Sequence, residues 1–510
     1  MLAQVHTGSV RGVDPLLVRV EVNLASGLPA FTVVGLAQGA VREGRERVAA
    51  AMKNSGYALP QRRITVNLAP ADVRKEGAAF DLPIAVCLLA AEGSVCADDL
   101  ETYAFLGELG LDGSLRPVPG VLPVATLCRE RGIGTLVVPE ANAAEAALAS
   151  GLCVLGGRTL ADVVAHVNGE RPLARTRVDA RSLLTGAADG GPDLRDVKGQ
   201  DAAKRVLEVA AAGSHNLLLL GPPGAGKTMM ARRLPSILPP LSLEEALEST
   251  RIHSVAGHLR GGTPLVTGRP FRAPHHSVSY AGLIGGGVPT RPGEISLAHN
   301  GVLFLDELGE YRRDVLEVLR QPMEDGTVTL SRARGSVRFP ARFLLVTAMN
   351  PCPCGYHGDG SDRCLCDPGQ VRRYQGRVSG PLRDRIDLHL HVPPVPFRSL
   401  DGGLDGVGSP EVRDRVTRAR ALQLRRFERL QGVHANGHMG PAGIRAWCRP
   451  SRAVASLLQR AMDRTGLSAR AYHRILKVAR TIADLEGSRE ILVEHAAEAV
   501  QYRSLDRSGG

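Results

Sequence analysis

The strongest chemical signal in the sequence is a glycine-rich run formed by Gly221, Pro222, Pro223, Gly224, Ala225, Gly226, Lys227 and Thr228. It directly follows the apolar residues Leu217–Leu220 and precedes a predicted helix. Glycines at this spacing let successive backbone N–H groups turn inward around phosphate oxygens. In such a loop the lysine reaches the terminal phosphates and the threonine hydroxyl ligates Mg²⁺. The run therefore predicts a binding site for ATP and Mg²⁺.

Two carboxylates follow a second apolar run, Val302–Leu305. At the end of a strand they would lie beside a bound phosphate, so we expect Asp306 to organise the metal ion. Glu307 is then the base that orients the attacking water. Taken alone, the run would be explained as well by a strand followed by ordinary surface acids. Together with the phosphate loop, it predicts hydrolysis of ATP and not binding alone.

Asn350 follows a third apolar run, Phe343–Val346. A polar side chain at the end of that strand can hold the attacking water near the two acids. The alternative is a turn-forming asparagine before Pro351, which is a common pairing. The surrounding pattern favours the catalytic role.

Four of the nine cysteines lie close together just after Asn350, namely Cys352, Cys354, Cys364 and Cys366. Thiolates gathered in this way are typical of a structural Zn²⁺ site. The C-x-C spacing differs from the commoner C-x2-C, so four unligated thiols in a turn rich in Gly and Pro are an equal alternative. His357 is a candidate to replace one thiolate. No general base lies within the cluster, which argues against a catalytic metal.

These residues need elements to hold them, and 510 residues are enough for about three domains. We place the domains at 1–170, 193–398 and 410–505. The segments 171–192 and 399–409 are polar or rich in glycine, and we interpret them as linkers.

The predicted fold class is α/β. In the first domain short β-branched runs alternate with helical stretches, which indicates a mixed α/β fold. These runs are Leu17–Val22, Phe31–Val34 and Ile64–Leu68, with a helix around Val41–Met52. In the middle domain the three apolar runs described above alternate with helices, as in a parallel sheet. The last domain is predicted to be helical. In its segment Glu411–Gln431, helical periodicity puts six apolar residues roughly on one face: Val412, Val416, Ala419, Leu424, Phe427 and Leu430.

Composition excludes several classes of protein. Apolar residues make up 44% and charged residues 23%, which is typical of a globular chain and not of a disordered one. No apolar stretch approaches the roughly 18 residues that a membrane-spanning helix needs. The first residues lack the layout of a signal peptide, and nine cysteines in so long a chain do not form a disulfide framework. We therefore expect a cytoplasmic protein with no membrane partner.

Charge is distributed unevenly along the chain. Residues 1–180 contain 17 basic and 19 acidic residues, whereas residues 181–510 contain 46 basic and 33 acidic ones, a net charge of +13. A polyanion partner would therefore meet the second two-thirds of the chain. Only six of the 63 basic residues are lysine, so this bias also fits a GC-rich genome.

Several long motifs carry a resemblance to a known family. Besides the phosphate loop, Asp306-Glu307 and Asn350, they are Asp196–Gln200, Phe271–His276, Pro292–Gly301, Ser379–Asp387 and Ala469–Arg480. In this order they resemble an AAA+ module of the magnesium-chelatase-related type, with its helical lid. More narrowly, essentially the whole chain resembles the ComM/YifB family.

The resemblance implies roles for two arginines. Arg385 resembles an arginine finger that reaches the γ-phosphate bound by a neighbouring subunit, which requires a ring, and we expect a homo-hexamer. Arg470 resembles the arginine that couples the lid to the nucleotide. By residue type alone, each is equally an exposed arginine.

The first domain resembles the Lon-type protease domain, which has a ribosomal S5 domain 2-like fold. Two segments carry this resemblance, Val73–Asp81 and Gly107–Gly120. Protease chemistry of this type needs a serine nucleophile and a lysine. The resemblance places Ala79 at the serine position and Leu122 at the lysine position, so we expect the fold without peptidase activity.

The family implies a ring ATPase that moves along DNA, a branch-migration helicase in natural transformation. The alternatives are an energy-coupling chelatase subunit and a nucleotide-switched scaffold without motor activity. Two segments are candidates to line a pore, Ser279–Gly287 and Thr327–Arg342, which includes Arg332, Arg334 and Arg338. A packed loop and a solvated edge strand are the respective alternatives, and we expect His275 and His276 to belong to a packed loop.

Overall fold

The computed structural model of the protein describes residues 1–36, 39–95, 99–186, 191–259, 263–332, 335–394, 406–430, 432–465 and 468–503. Parts of both predicted linkers (187–190 and 399–405), Arg334 and the end of the predicted last domain (504–505) lie outside these residues. Within them, a mixed sheet is followed by a parallel sheet and then by helices. The predicted fold class is confirmed.

The first part of the chain is built on an eight-stranded sheet. In spatial order its strands are Arg175–Thr176, Cys153–Gly157, Thr135–Pro139, Tyr103–Phe105, Leu2–Arg11, Asp14–Ala25, Arg63–Ala69 and Ala30–Val34. Alternate residues of the long second strand are buried, as a sheet covered on one face requires. The covering helix Asp81–Glu92 is buried along most of its length. The other helices are Gly39–Asn54, Val121–Glu130, Glu140–Ala146, Leu160–Val167 and Ala180–Thr185, beside a short hairpin of Glu108–Leu109 and Leu115–Arg116.

The second sheet is parallel and positions the predicted site. In spatial order its strands are Phe271–Arg272, Gly301–Leu305, Phe343–Met349, Leu217–Leu220 and Leu388–His391. The strand before the phosphate loop is buried at all four residues, as a central parallel strand should be. Because parallel strands end at the same edge, the residues that follow them converge there.

Helices and two small hairpins surround this sheet. The helices are Asp201–Gly213, Lys227–Ala231, Leu234–Ile237, Leu243–Ala256, Tyr280–Ile284, Glu294–Leu297, Arg313–Glu317, Arg320–Asp325, Pro368–Gln375 and Gly380–Arg383. The hairpins pair Gly285–Gly286 with Arg291–Pro292, and Thr327–Arg332 with Gly335–Pro340. No helix in the described ranges combines the length and hydropathy needed to cross a membrane.

In the described residues after 405, five α-helices form the last part of the chain, namely Ser409–Phe427, Pro441–Trp447, Arg452–Thr465, Ala469–Leu485 and Val493–Gln501. The first was predicted as Glu411–Gln431, and its predicted apolar face is only partly right. Leu424 and Leu430 are 52% and 39% exposed, whereas Gln423 is fully buried. The helical repeat that buries Val416 and Phe427 also turns residue 423 inward, and Leu424 lies a further 100° around the helix. Gln423 is satisfied because it donates to the carbonyl of Ala212.

The first part packs directly on the second. Glu145 accepts a hydrogen bond from the Ser254 hydroxyl at 2.5 Å, across the boundary between them, and another from the backbone of Leu122 at 2.9 Å within the first part. Leu122 packs with Leu241 and Leu265 in an apolar cluster that also includes Leu148 and Ala246. The predicted linker 171–192 contributes the helix Ala180–Thr185, and its leucines pack on that cluster. The two parts therefore share a packed interface.

Candidate nucleotide site

The phosphate loop curls around its own lysine. Gly224 and Gly226 have φ of +77° and +84°, a left-handed backbone that glycine adopts without strain. Lys227 is buried, and its Nζ donates to the carbonyls of Gly221 at 2.5 Å and Pro222 at 2.9 Å. Burial lowers the pKa of Lys227, against the opposing effect of Asp306 and Glu307. In this structure the ammonium is thus paired with carbonyl oxygens of its own loop.

The two predicted acids lie beside the loop. Thr228 Oγ1 donates to Asp306 Oδ2 at 2.6 Å, which joins the two predicted Mg²⁺ residues. The backbone N–H of Glu307 donates to the other oxygen, Asp306 Oδ1, at 2.9 Å. Glu307 itself has φ of +51°, which is uncommon for a residue with a side chain and is found most often at functional sites. Its carboxylate is more than half exposed.

Asn350 completes this group. It directly follows the strand Phe343–Met349, and its Oδ1 lies 3.0 Å from Lys227 Nζ. The structure therefore brings the predicted residues 221–228, Asp306, Glu307 and Asn350 together at one edge of the sheet. Their roles remain predictions.

Two residues near this group were not predicted as part of it. His276 was expected in a packed loop, yet its Nδ1 lies 3.3 Å from Glu307 Oε2, and its ring lies 4.0 Å from that of His275. Gln200 has φ of +56° and donates from Nε2 to the carbonyl of Ala225, which braces the phosphate loop from outside. The Asp196–Gln200 and Phe271–His276 motifs were the signals that could have marked both residues.

The two predicted arginines lie elsewhere. Arg385 pairs with Glu324 Oε1 at 2.6 Å and donates to the carbonyl of Pro381 at 2.9 Å. Its Nε is buried without a hydrogen-bond partner among the described residues. Arg470 is exposed in the first turn of Ala469–Leu485. Within one chain, neither side chain joins the group around the phosphate loop.

A buried ion pair at the opposite edge of the sheet, where the strands begin, ties the last helices to the sheet. Asp387 Oδ1 accepts a hydrogen bond from Arg474 at 2.5 Å, and its Oδ2 lies 3.5 Å from His215 Nδ1. Burial alone would raise the pKa of Asp387, but Arg474 and His215 hold that pKa well below its usual range. The helix Ala469–Leu485 is therefore attached to the start of the strand Leu388–His391 by a charged contact.

The four predicted cysteines form one cluster. All four Sγ atoms lie within 4.8 Å of one another. Cys352 Sγ lies 3.3 Å from Cys354 Sγ and 3.8 Å from Cys364 Sγ, and the latter two lie 3.7 Å apart. His357 Nδ1 lies 4.0 Å from Cys364 Sγ, at the margin of the cluster. This is the one group of potential metal ligands found among the described residues.

The positions that resemble a protease site hold apolar groups that face different cores. Ala79 packs with residues such as Val124, while Leu122 faces the interface cluster. Ala79 also lines a cavity of about 420 Å³ shared with Gly287–Arg291 and Val337. Neither position offers a nucleophile or a proton acceptor.

Most of the chain matches models of known protein families. Three family models match in order, described as subunit ChlI of Mg-chelatase (residues 20–142), magnesium chelatase subunit ChlI (193–400) and the ChlI C-terminal part (406–503). Competence protein ComM of Haemophilus influenzae is 45% identical over 509 residues, which are 99% of this chain and 98% of that protein. The chain belongs to the ComM/YifB family.

Other relatives agree with this placement. The YifB protein of Salmonella typhimurium is 46% identical over 507 residues, 99% of this chain and 98% of its own. Lon protease 2 of Bacillus subtilis is 31% identical over 154 residues, 28% of this chain and 26% of its own. Membership in this magnesium-chelatase-related AAA+ family implies the use of ATP and Mg²⁺.

Proposed function

We propose that this ComM/YifB protein is an ATP-hydrolysing ring motor that acts on DNA in the cytoplasm, as a branch-migration helicase during natural transformation. One observation carries the proposal: Lys227, Thr228, Asp306, Glu307 and Asn350 converge at one edge of a parallel sheet. The name of the Haemophilus influenzae relative, a competence protein, supports the link to incoming DNA.

The chemistry follows from the side chains. Lys227 and the loop N–H groups bind the terminal phosphates of ATP, exchanging the carbonyl contacts of the lysine for phosphate oxygens. Thr228 and Asp306 would hold Mg²⁺, which neutralises phosphate charge when bound. Asn350 positions the attacking water, and Glu307 accepts its proton. His276 fixes the direction of the Glu307 carboxylate.

The position of Arg385 is the basis for proposing a ring of subunits. Its guanidinium lies with Glu324 and not with the phosphate loop of its own chain. A finger that serves the site must then come from a neighbouring subunit, as closed symmetric rings allow. We expect six subunits, with each Arg385 exchanging Glu324 for the γ-phosphate across an interface. Arg470 contacts the nucleotide when the lid closes.

The DNA contact is proposed for two segments and for the last helices. Tyr280, at the start of the first segment, is 50% exposed, which suits stacking on a base. In the hairpin, Phe339 is buried and Arg338 is exposed, so one face packs and the other can meet phosphates. The net charge of +13 on residues 181–510 favours this arrangement.

The cysteine cluster is proposed to hold a structural Zn²⁺ ion. With Zn–S bonds of about 2.3 Å, a tetrahedral site separates its sulfurs by about 3.8 Å. The distances of 3.7 and 3.8 Å from Cys364 to Cys354 and Cys352 match that value, whereas Cys352 and Cys354 lie closer together, at 3.3 Å. Four thiolates complete the coordination, and no open position remains for catalysis.

We propose that the first domain has no peptidase activity. Ala79 and Leu122 offer neither nucleophile nor base, and their packing faces two separate apolar clusters. The test is incubation of the pure protein with an unfolded protein substrate, beside a preparation treated for trace proteases. Cleavage that survives this control would contradict the proposal.

The deciding experiment compares ATP turnover with no DNA, single-stranded DNA, duplex DNA and a four-way junction. A DNA motor should be stimulated, most by the junction, and should bind DNA more tightly with a non-hydrolysable ATP analogue and at low salt. ATP turnover that is independent of DNA, together with DNA affinity that is independent of nucleotide and salt, would support the scaffold. Stimulation by porphyrin and partner subunits alone would support the chelatase, which the matching family models also describe.

A further inference from the structure

The cysteine cluster lies on a loop that touches the catalytic group. Cys352 is two residues beyond Asn350 and is fully buried. From Cys352 to Cys366 the chain forms turns and no helix or strand. The cluster is therefore continuous in sequence with the proposed water-positioning residue.

The same loop closes on the phosphate loop. Gly355 has φ of +89°, and a Cβ added there would lie 2.7 Å from Pro223 Cδ and 3.9 Å from Asn350 Cγ. Contact this close leaves room only for glycine. Gly355 thus lies tightly against Pro223 of the phosphate loop, with the Asn350 side chain beside it.

Besides the cysteines, this loop is held mainly by local polar contacts, such as those of Asp359 with Ser361 and Arg363, and by little apolar packing. Leu365, between the last two cysteines, is 91% exposed. Arg363 stacks on Tyr356 with its guanidinium carbon 4.4 Å from the ring centroid, a surface contact. A loop without an apolar core cannot fix its own backbone, since burial is too small to offset the entropy of ordering it. Four thiolates around one cation would fix it.

We propose that the zinc site is a brace for the ATP site: the metal holds the loop, and the loop holds Asn350 and Pro223 in place. This inference rests on the proposed ATP hydrolysis and on the proposed zinc site. It assigns the metal an effect on turnover that acts through the backbone of the loop. Loss of zinc should slow hydrolysis about ten- to hundred-fold, as loss of supporting contacts at catalytic sites does, and should change ATP affinity much less.

The test compares the full-length protein with the double variant Cys364→Ser/Cys366→Ser and with the control Cys153→Ser, a partly buried thiol in the first sheet. We expect one zinc per chain in the wild type and control, and none in the double variant. Replacement by Co²⁺ should give the absorption bands of a tetrahedral thiolate site. A wild type without bound metal, or without these bands, would overturn the zinc site.

Activity and backbone mobility then test the brace. Zinc is stripped from the wild type with a chelator, the chelator is removed, and turnover is measured with Mg²⁺ and ATP before and after zinc is restored. We expect a loss that zinc reverses, so that misfolding of a variant cannot mimic the result. The Asn350→Ala variant should be far less sensitive to stripping, because both changes disable the same residue. Unchanged turnover in the stripped protein would overturn the brace.

Failure of the proposed function has a separate signature. A wild type that holds zinc but hydrolyses no ATP contradicts the ATPase assignment. Hydrogen exchange at residues 221–228 then decides the brace by itself, because the loop amides should exchange faster without zinc. Equal exchange with and without the metal would overturn it.

Discussion

Lys227 Nζ lies 3.0 Å from Asn350 Oδ1, so the cation of the phosphate loop is paired with the side chain at the end of the neighbouring strand. The same ammonium donates to two loop carbonyls. A bound phosphate would have to replace these oxygens as partners of the ammonium. The three contacts therefore concentrate on one buried charge.

Lys227→Ala should abolish nucleotide binding, because it removes the cation held against the terminal phosphates. We expect a loss of at least about 100-fold in ATP affinity, or about 2.7 kcal/mol. Titration calorimetry with Mg²⁺-ATP measures it, and Lys53→Ala, an exposed lysine in the first domain, is the control. Comparable affinity in the two variants would contradict the assignment.

Glu307→Gln should bind ATP normally but hydrolyse it at least about 100-fold more slowly, because an amide cannot accept the proton of the attacking water. Single-turnover kinetics separate the two effects. Glu310→Gln, an exposed acid three residues further on, should turn over ATP like the wild type. If both glutamine variants behave alike, Glu307 is not the base.

Arg385 should act between subunits. Lys227→Ala and Arg385→Ala proteins are each expected to be inactive, and a mixture should regain turnover at interfaces that combine an intact loop with an intact arginine. Arg373→Ala, at an exposed position on Pro368–Gln375, should stay active by itself. A mixture that assembles, as shown by mass, yet remains inactive would exclude a shared site.

Asp387→Asn should destabilise the ATPase core by about 3–5 kcal/mol, because it leaves the charge of Arg474 without its buried partner. The pKa of Asp387 is depressed in the folded state, so its contribution is present above its unfolded pKa of about 3.9 and is lost as the pH falls below it. Urea unfolding of both proteins between pH 7 and pH 3 measures the difference. Asp463→Asn, on an exposed helix face, should show none. If the difference in unfolding free energy between the wild type and Asp387→Asn stays constant down to pH 3, this account of Asp387 is wrong.

The residues that follow the strands could be predicted from the sequence, whereas the residues that contact them could not. Residues that follow parallel strands must meet at one edge of the sheet. The apolar runs were therefore sufficient to predict that Asp306 and Asn350 lie close together. His276 reaches Glu307 through an irregular insertion, and no periodicity predicts such a path. Leu424 shows the same limit on a helix. It is exposed although its neighbour Gln423 is buried, because consecutive residues differ by about 100° around the helix axis.

The packing around Leu122 limits which substitutions this position can accept. A lysine there would place an amine among Leu148, Leu241 and Leu265, at the boundary that joins the two parts of the chain. Burial of that amine would either remove its charge or separate the two surfaces. Residue 79 packs in a different apolar cluster, so a serine introduced there would not meet this amine. A serine–lysine pair at residues 79 and 122 would therefore require repacking of the interface between the two parts of the chain.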